Sequence, residues 1–309
     1  MTKQLLVVCV MIFIYQTILS AESNNNKKVS AKDSLNTKTS NSLNYNRDYE
    51  PHLTWYQMFT NVPHDDFQFF KNLVEKPRIP TYIGLTALTG SLMAIDHSGW
   101  KLDDHLYSNS HLFHSTSNVL VFMGNGEFHF MLSGLFGAYG FIGHDQVALK
   151  TASNIAESVL AAGLLVQVLK RITGRESPAG SDKTLGSWKF FPSIKEYQKN
   201  QSKYYSFPSG HLASATATLT VILNNYPQIK WLKPVGYTLL GCLGISLVSQ
   251  GMHWYSDLPL GFFIGYSIGN IISPLKSETQ TVTTQNNSHL ILMPNIGLGK
   301  LGLNVAYTF

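Results

Sequence analysis

Two histidines in the C-terminal half of the chain stand in settings that suit phosphoryl transfer. The first, His211, ends the segment PSGH, in which Ser209 is a good N-cap for the small-residue helix that follows. The first amides of such a helix lack partners and carry positive potential, so they bind phosphate-like anions. Gly210 lets a ligand approach the backbone, and His211 can give a proton to a leaving oxygen. Taken alone, the segment also fits an ordinary cap with a surface histidine.

The second histidine, His253, precedes Asp257 by four residues in the segment SQGMHWYSDLPLG. A carboxylate about one helical turn away can hold one ring nitrogen and leave the other as a nucleophile. Asp257 also stands where a helix N-cap belongs, with Pro259 in the first turn of the next helix. The capping role and the orienting role are compatible.

A basic cluster lies upstream, in the segment LKRITGRESP. Lys170, Arg171 and Arg175 follow one another at the end of a predicted helix, before Pro178. Basic residues are common there because they complement the helix dipole. The functional interpretation is a cationic clamp, in which arginine holds two phosphoryl oxygens and lysine supplies a point charge.

The segments that must position these residues are predicted to be helical. Apolar runs without sustained period-two alternation indicate about six core helices, and scattered Gly, Ala, Ser and Thr permit close packing. The three motifs lie at the end of the third helix, the start of the fourth, and between the fifth and sixth. We therefore predict an all-α antiparallel helical bundle with the active site at one end. The predicted helices cover about 79–96, 117–142, 152–170, the segment after Ser209, 234–250 and 257–273.

The two ends of the chain differ from this bundle. Residues 1–21 are typical of a signal peptide, and 22–50 are rich in Asn, Ser and Lys, so they are predicted to be a disordered tether. The predicted helical domain is 51–280. The tail, 281–309, contains an alternating stretch that predicts one or two short strands.

Composition narrows the class of protein. Hydrophobic residues make up 44% of the 309 residues and charged residues 13%, about half the usual charged share. A heavily buried helical protein or a membrane-linked one is indicated. The net charge of +5 suits an anionic substrate or a membrane surface, and no dense basic stripe indicates nucleic acid. With only Cys9 and Cys242, neither a disulfide framework nor a thiolate metal site can form within one chain.

Two locations fit these features. Because several helices are short for a span and rich in small polar residues, we favour an exported, periplasmic bundle, either soluble or resting on a membrane surface. The alternative is a polytopic membrane protein, in which a positive-inside count would place the lysine-rich loop 179–207 in the cytoplasm. This loop also carries aromatic residues, which fit either a solvated connection or a lid over a lipid substrate.

Together the three motifs resemble the signature of the type 2 phosphatidic-acid phosphatase and vanadium haloperoxidase superfamily, over roughly residues 80–275. The resemblance implies that His253 attacks phosphorus to form a phosphohistidine and that Asp257 orients it. It further implies that His211 protonates the leaving group. Lys170, Ser209 and the Gly210 amide would hold the phosphoryl oxygens, and hydrolysis would need neither metal nor other cofactor.

Two positions depart from the family pattern. The first motif usually has arginine where this chain has Ser177, and the third usually has arginine where it has Leu247. Each lost charge-assisted contact is worth roughly 1.5–3 kcal/mol. We expect Arg175 to replace the first arginine as a phosphate ligand, and only Gln250, a neutral donor, is near the second.

Three functions therefore remain open. The favoured one is a metal-independent phosphatase that acts on a phosphorylated lipid or a small phosphate ester. A vanadate-dependent haloperoxidase would use the same pocket, with vanadate as its cofactor. The third is a non-catalytic phospholipid-binding module, which the missing arginines would permit.

Overall fold

A computed structural model describes residues 57–75, 79–181, 185–200, 203–274, 289–297 and 300–308. The predicted signal peptide and tether lie outside these residues. The chain divides into two compact units, Met1–Leu275 and Lys276–Phe309.

The first unit is helical, which confirms the predicted all-α class. Short 3₁₀ turns at Pro178–Gly180 and Tyr255–Asp257 join longer elements near two of the three motifs. The helices are α1 (Gln57–Thr60), α2 (Val62–Glu75), α3 (Ile79–Asn109), α4 (His111–Gly124), α5 (Gly126–Gly143), α6 (Gln146–Thr173), α7 (Ile194–Lys199), α8 (Gly210–Asn225), α9 (Leu232–Ser249) and α10 (Leu258–Ile272).

One predicted helix, 117–142, is two helices in the structure. The chain breaks at Asn125, whose backbone is extended (φ −69°, ψ 143°), and α4 and α5 meet at a bend of 65°. Glycine precedes and follows Asn125, and glycine is a weak helix former that lowers the cost of a break. The break brings the Asn125 side chain to His211, whose Nε2 lies 2.8 Å from Asn125 Oδ1.

Helix α8 lies at the centre of the unit and packs against α6 and α10. Buried Ala213 and Ala217 of α8 face Ile264 and Ile268 of α10 in one apolar cluster. The two helices also approach closely at Gly261, where a Cβ would lie 2.4 Å from the Ser209 carbonyl oxygen. No larger side chain fits there without a shift of the backbone, so this glycine sets the start of α8 against α10.

Parts of the helical surface are strongly apolar. By length and composition, α6 and α9 could each cross a membrane, and the bent pair α4–α5 is a third candidate if it forms one span. Large apolar side chains are also exposed on α3, α4, α5 and α9; examples are Ile83, Leu112, Phe141, Ile142 and Val235.

The alternating tail forms strands, as predicted. Strand β1 (His289–Gly297) pairs antiparallel with β2 (Lys300–Thr308), with His289 opposite Thr308 and Gly297 opposite Lys300.

Candidate active site

The structure brings the three predicted segments together at one end of the bundle. Lys170 lies in the last turn of α6, Ser209 caps α8, and His253 follows α9. The Ser209 N–H donates to the carbonyl oxygen of Asp257 at 3.0 Å, which ties the second motif to the third. The rings of His211 and His253 face each other edge to face, with their centroids 5.9 Å apart.

His253 is completely buried and has a defined tautomer. Its Nδ1 lies 2.7 Å from the carbonyl oxygen of Ser206, and because a carbonyl only accepts, Nδ1 carries the proton. The other nitrogen, Nε2, is buried without a hydrogen-bond partner among the described residues. Burial lowers the pKa of His253, so the ring is neutral near pH 7 and Nε2 presents a lone pair.

The contact between His253 and Asp257 differs from the expected one. Asp257 Oδ2 is 3.8 Å from His253 Nδ1, too far for a hydrogen bond. Instead Oδ2 accepts from the Ser206 hydroxyl at 2.5 Å and from the Trp254 N–H at 2.7 Å. Asp257 therefore acts on His253 mainly through Ser206, whose hydroxyl it holds and whose carbonyl holds the ring.

Asp257 is ionised although it is fully buried. Burial alone would raise its pKa, but His253, the Arg175 guanidinium and the Ser206 hydroxyl outweigh burial and hold the pKa of Asp257 below its ordinary value. The site thus contains a fixed negative charge beside a neutral nucleophile.

The expectation that Arg175 holds a phosphoryl group does not fit the structure. Its guanidinium is buried among protein acceptors: Nη1 donates to Asp257 Oδ1 at 2.5 Å and Nη2 donates to Asp96 Oδ2 at 2.9 Å. Nη2 also donates to the Leu185 carbonyl at 3.1 Å. Sequence spacing showed that Arg175 is near the pocket, but not that two carboxylates occupy its terminal nitrogens.

His211 has a partner that the sequence motifs did not include. Its Nε2 lies 2.8 Å from Asn125 Oδ1. An amide oxygen accepts, so Nε2 carries the proton and Nδ1 is the nitrogen that can exchange one. Burial, with the nearby His253 and Lys170, lowers the pKa of His211 to about 3. His211 is therefore neutral near pH 7.

Lys170 is the basic side chain that lies beside the start of α8. Its ammonium nitrogen lies 3.3 Å from the centre of the Tyr205 ring, and a Cβ at Gly210 would be 3.7 Å from that nitrogen. The ammonium therefore lies beside the first residue of α8, where unpaired amides also favour an anion. The bare glycine leaves this space open.

Neither departure from the family pattern is compensated at its own position. Leu247 is fully buried in an apolar cluster with Leu243 and Leu212. Gln250 donates to Asn118 Oδ1 at 3.2 Å, and buried Ser177 begins a 3₁₀ turn. The positive charge that remains beside His211 is that of Lys170.

The loop 179–207 is divided between core and surface. Tyr197 and Tyr204 are buried, whereas Phe190 and Phe191 are largely exposed. Tyr205 lies against Lys170, and Trp188 lies against Arg175 with the Arg175 Cζ 4.9 Å from the centre of its ring. In the described part of this loop, then, some aromatic side chains pack against the basic motif residues and others face away from them.

Sequence reasoning missed three residues of the site: Ser206, Asn125 and Asp96. Ser206 stands three residues before Ser209, Asn125 lies between two glycines, and Asp96 is the lone acidic residue of an apolar stretch from 79 to 100. An acidic residue in such a stretch was a usable signal. No three His, Cys, Asp or Glu side chains are grouped as metal ligands in the described part of the chain.

Comparison with known proteins agrees with these motifs. The model of the PAP2 superfamily matches residues 151–280. A lipid A 1-phosphatase of Porphyromonas gingivalis is 36% identical over 67 residues, which is 21% of this chain and 15% of that protein. The match thus spans less than a sixth of the length of that relative.

Two solved structures are similar in part. A transmembrane PAP2-type phosphatidylglycerolphosphate phosphatase from Bacillus subtilis aligns with 63% of this chain and 92% of its own, at 17% identity and a TM-score of 0.44. LpxE of Aquifex aeolicus aligns with 56% of this chain and 92% of its own, at 20% identity and a TM-score of 0.40. The segment that matches the model of the PAP2 superfamily, 151–280, contains all three motifs.

Proposed function

We propose that the protein is a phosphatase that removes a phosphate group from a lipid through a phosphohistidine intermediate. The observation that carries the proposal is the pair of facing histidines, half-buried His211 and fully buried His253, with ring centroids 5.9 Å apart and an Nε2 on His253 that has no partner among the described residues. A nucleophile and a proton donor at this separation can act on opposite sides of one phosphorus atom.

In the first step, the Nε2 lone pair of His253 attacks phosphorus and the bond from phosphorus to the ester oxygen breaks. His211 gives its proton to the departing oxygen. The dianionic phosphate raises the low pKa of His211 as it binds, so the site takes up that proton with its substrate. The products are an alcohol and phosphorylated His253.

In the second step, water attacks the phosphohistidine. His211, now neutral, accepts a proton from that water, and the phosphorus–nitrogen bond breaks to return its electron pair to Nε2. Inorganic phosphate leaves together with the proton that was taken up with the substrate, and both histidines regain their neutral starting forms. Nδ1–H stays on the Ser206 carbonyl throughout, which stabilises the positive charge on His253 while phosphorus is attached.

The phosphoryl oxygens are held by Lys170 and the start of α8. The Lys170 ammonium and the free amides of the first turn converge beside Gly210. This grip has fewer cations than the family pattern. We therefore expect a low affinity for free phosphate and a large contribution to substrate binding from the rest of the substrate.

An apolar groove next to the site supports a lipid substrate. A cavity of about 350 Å³ lies between α3 and α10 and reaches Leu212 and Leu258, the neighbours of His211 and Asp257. Apolar side chains form most of its wall; its lining residues include Leu85, Leu88, Phe262 and Phe263. The named relative of Porphyromonas gingivalis acts on the phosphate of a lipid, which agrees in substrate class.

We further propose that the protein works in a membrane and is exported. The candidate spans α6 and α9 and the exposed apolar residues of α3 to α5 support membrane association. Fractionation should leave the protein in the membrane after a carbonate wash at high pH. An active C-terminal alkaline phosphatase fusion in a bacterial host would support export, and an inactive one would contradict it.

Turnover by the full chain in detergent tests the function. With EDTA present, phosphate release from phosphatidic acid in mixed micelles should exceed release from a water-soluble alkyl phosphate at equal concentration. His253→Gln should abolish both while circular dichroism stays unchanged. Full activity of that variant would exclude the phosphohistidine route, and no turnover of either substrate would contradict the proposed function.

A further inference from the structure

One face of α3 holds the segment that carries the nucleophile. Asp96, Trp100 and Asp103 are spaced i, i+4 and i+7, so they lie on the same side of the helix. Trp100 packs edge to face against Trp254, with ring centroids 5.9 Å apart, and Asp103 accepts a hydrogen bond from the Tyr255 hydroxyl. Asp96 completes the face against Ser256. Helix α3 precedes the residues that match the family model.

Asp96 makes the densest set of these contacts and is completely buried. Its Oδ1 accepts from the Ser256 N–H at 3.0 Å, and its Oδ2 accepts from the Ser256 hydroxyl at 2.5 Å. Oδ2 also accepts from Arg175 Nη2 at 2.9 Å. The Asp96 carboxylate therefore accepts two hydrogen bonds from Ser256, in the 254–257 segment, and one from the buried Arg175 guanidinium.

Arg175 extends this arrangement to Asp257. Its Nη1 donates to Asp257 Oδ1 at 2.5 Å and to the Ser256 hydroxyl at 2.7 Å. The order of contacts is thus Asp96, Arg175, Asp257, Ser206 and His253, with every side chain buried. Because the Arg175 guanidinium binds both carboxylates, its position is set by Asp96 and Asp257 together.

We infer that Asp96 is a positioning residue for the proposed phosphatase reaction: it holds Arg175 and Ser256 so that the segment carrying His253 stays aimed at phosphorus. This inference rests on the proposed function. Without the charge of Asp96, the guanidinium moves toward Asp257 and pulls on the 254–257 segment. A displacement of 1 Å in reacting groups costs about 10²-fold in rate.

Asp96→Asn is the sharpest test because it keeps the size of the side chain and one acceptor oxygen. We expect kcat to fall about 10- to 100-fold while KM stays within about twofold of the parent value. Asp96→Glu, which restores the charge one methylene farther out, should recover part of kcat. Asp104→Asn is the matched control, because Asp104 lies on the same helix but is exposed, and it should leave kcat unchanged.

A second measurement does not depend on turnover. Unfolding of Asp96→Asn, Ser256→Ala and the double variant, followed by circular dichroism in detergent, gives the coupling between the two side chains. If the parent protein is inactive but the pair is coupled, the proposed function fails and the contact stands. If the parent is active and Asp96→Asn matches Asp104→Asn in kcat, the inference is overturned. A loss of kcat in Asp96→Asn with no recovery in Asp96→Glu and a parallel rise in KM would also overturn it.

Discussion

The imidazole of His253 donates its Nδ1–H to the carbonyl oxygen of Ser206 at 2.7 Å, while the Asp257 carboxylate lies 3.8 Å from the same nitrogen. A backbone carbonyl therefore fixes the tautomer of the nucleophile. The carboxylate stabilises the carbonyl-bearing residue instead, through the Ser206 hydroxyl. From the motif alone, Asp257 would be expected to fix the tautomer of His253 and to hold its ring in place. In the structure the Ser206 carbonyl fixes the tautomer, and Asp257 holds Ser206.

Asp257→Asn should therefore leave His253 in its Nδ1–H form. The Ser206 carbonyl remains in the variant, and a carbonyl can pair only with a protonated nitrogen. We expect nitrogen NMR of histidine-labelled protein near pH 7 to show the same tautomer in parent and variant, with His253→Gln used to assign the signal. Hydrolysis should fall, since the negative charge that stabilises the phosphorylated ring is lost. An Nε2–H signal in Asp257→Asn would show that the carboxylate, not the carbonyl, sets the tautomer.

Arg175→Met should act on folding more than on substrate affinity. The substitution leaves the carboxylates of Asp96 and Asp257 buried and unpaired, and breaking a buried ion pair in this way costs about 3–5 kcal/mol. We expect a large drop in the denaturant midpoint. Arg175→Lys should recover only part, because one ammonium cannot replace both ends of the guanidinium fork.

The control for this prediction is Arg171→Ala. Arg171 lies over the Tyr197 ring, with its Cζ 3.8 Å from the ring centre, and it touches neither carboxylate in the contacts of the described residues. Its loss should change the unfolding free energy by about 1 kcal/mol or less. A stable Arg175→Met variant with a raised KM would instead restore Arg175 to the role of phosphate ligand.

Particular residues show how far sequence reasoning reaches. Ser209, His211 and His253 were found because each motif is local, and helix order alone placed the motifs at one end of a bundle. The partners of Arg175 could not be found in that way. Asp96 and Asp257 are 79 and 82 residues away from Arg175. Because Arg175 is close to Ser177 in the sequence, we predicted that it replaces the arginine missing there, and the packing of its guanidinium does not permit this.

The break at Asn125 was missed for a similar reason. The segment 117–142 is largely apolar, and its composition fits one long helix as well as two short ones. The contact of Asn125 with His211 joins residues 86 apart, so it is a property of the packed bundle. Local helix propensity is a weak predictor where tertiary contacts of this kind determine the structure.

The contribution of His211 and His253 to the free energy of unfolding should fall as the pH is lowered from 6.5. The pKa of His211 is about 3 in the folded protein, against an ordinary value of 6.5, and burial shifts the pKa of His253 in the same direction. Between these values the unfolded chain binds more protons, so stability rises with pH. Each histidine contributes a slope of up to about 1.4 kcal/mol per pH unit.

Asp257 also contributes stability that increases with pH, but over a lower pH range, because its pKa in the folded protein lies below the ordinary 3.8. Denaturant unfolding of the parent protein at a series of pH values between 4 and 7 checks the slope. His211→Gln should flatten it, and His105→Gln, on the exposed surface of α3, should not. Equal slopes in the parent and His211→Gln would mean that His211 titrates normally in the folded protein.

Asn125→Leu should harm the hydrolysis of poor leaving groups most. Asn125 Oδ1 accepts the Nε2–H of His211 and so stabilises the protonated ring that donates to the leaving oxygen. A good leaving group needs little proton donation, so phosphate release from a nitrophenyl ester should fall less than release from an alkyl ester. The slope of log kcat against the pKa of the leaving alcohol should become steeper, as it should in His211→Ala.

Asn125→Asp is the matched variant, because it keeps an acceptor oxygen at the same place. An added carboxylate raises the pKa of His211, so the alkaline limb of the activity profile, where the proton donor loses its proton, should move to higher pH. The dependence on leaving group should stay close to that of the parent. Equal losses for nitrophenyl and alkyl esters in Asn125→Leu would remove His211 from the role of proton donor. The contact with Asn125 would then only support the packing of α4 and α5 against the start of α8.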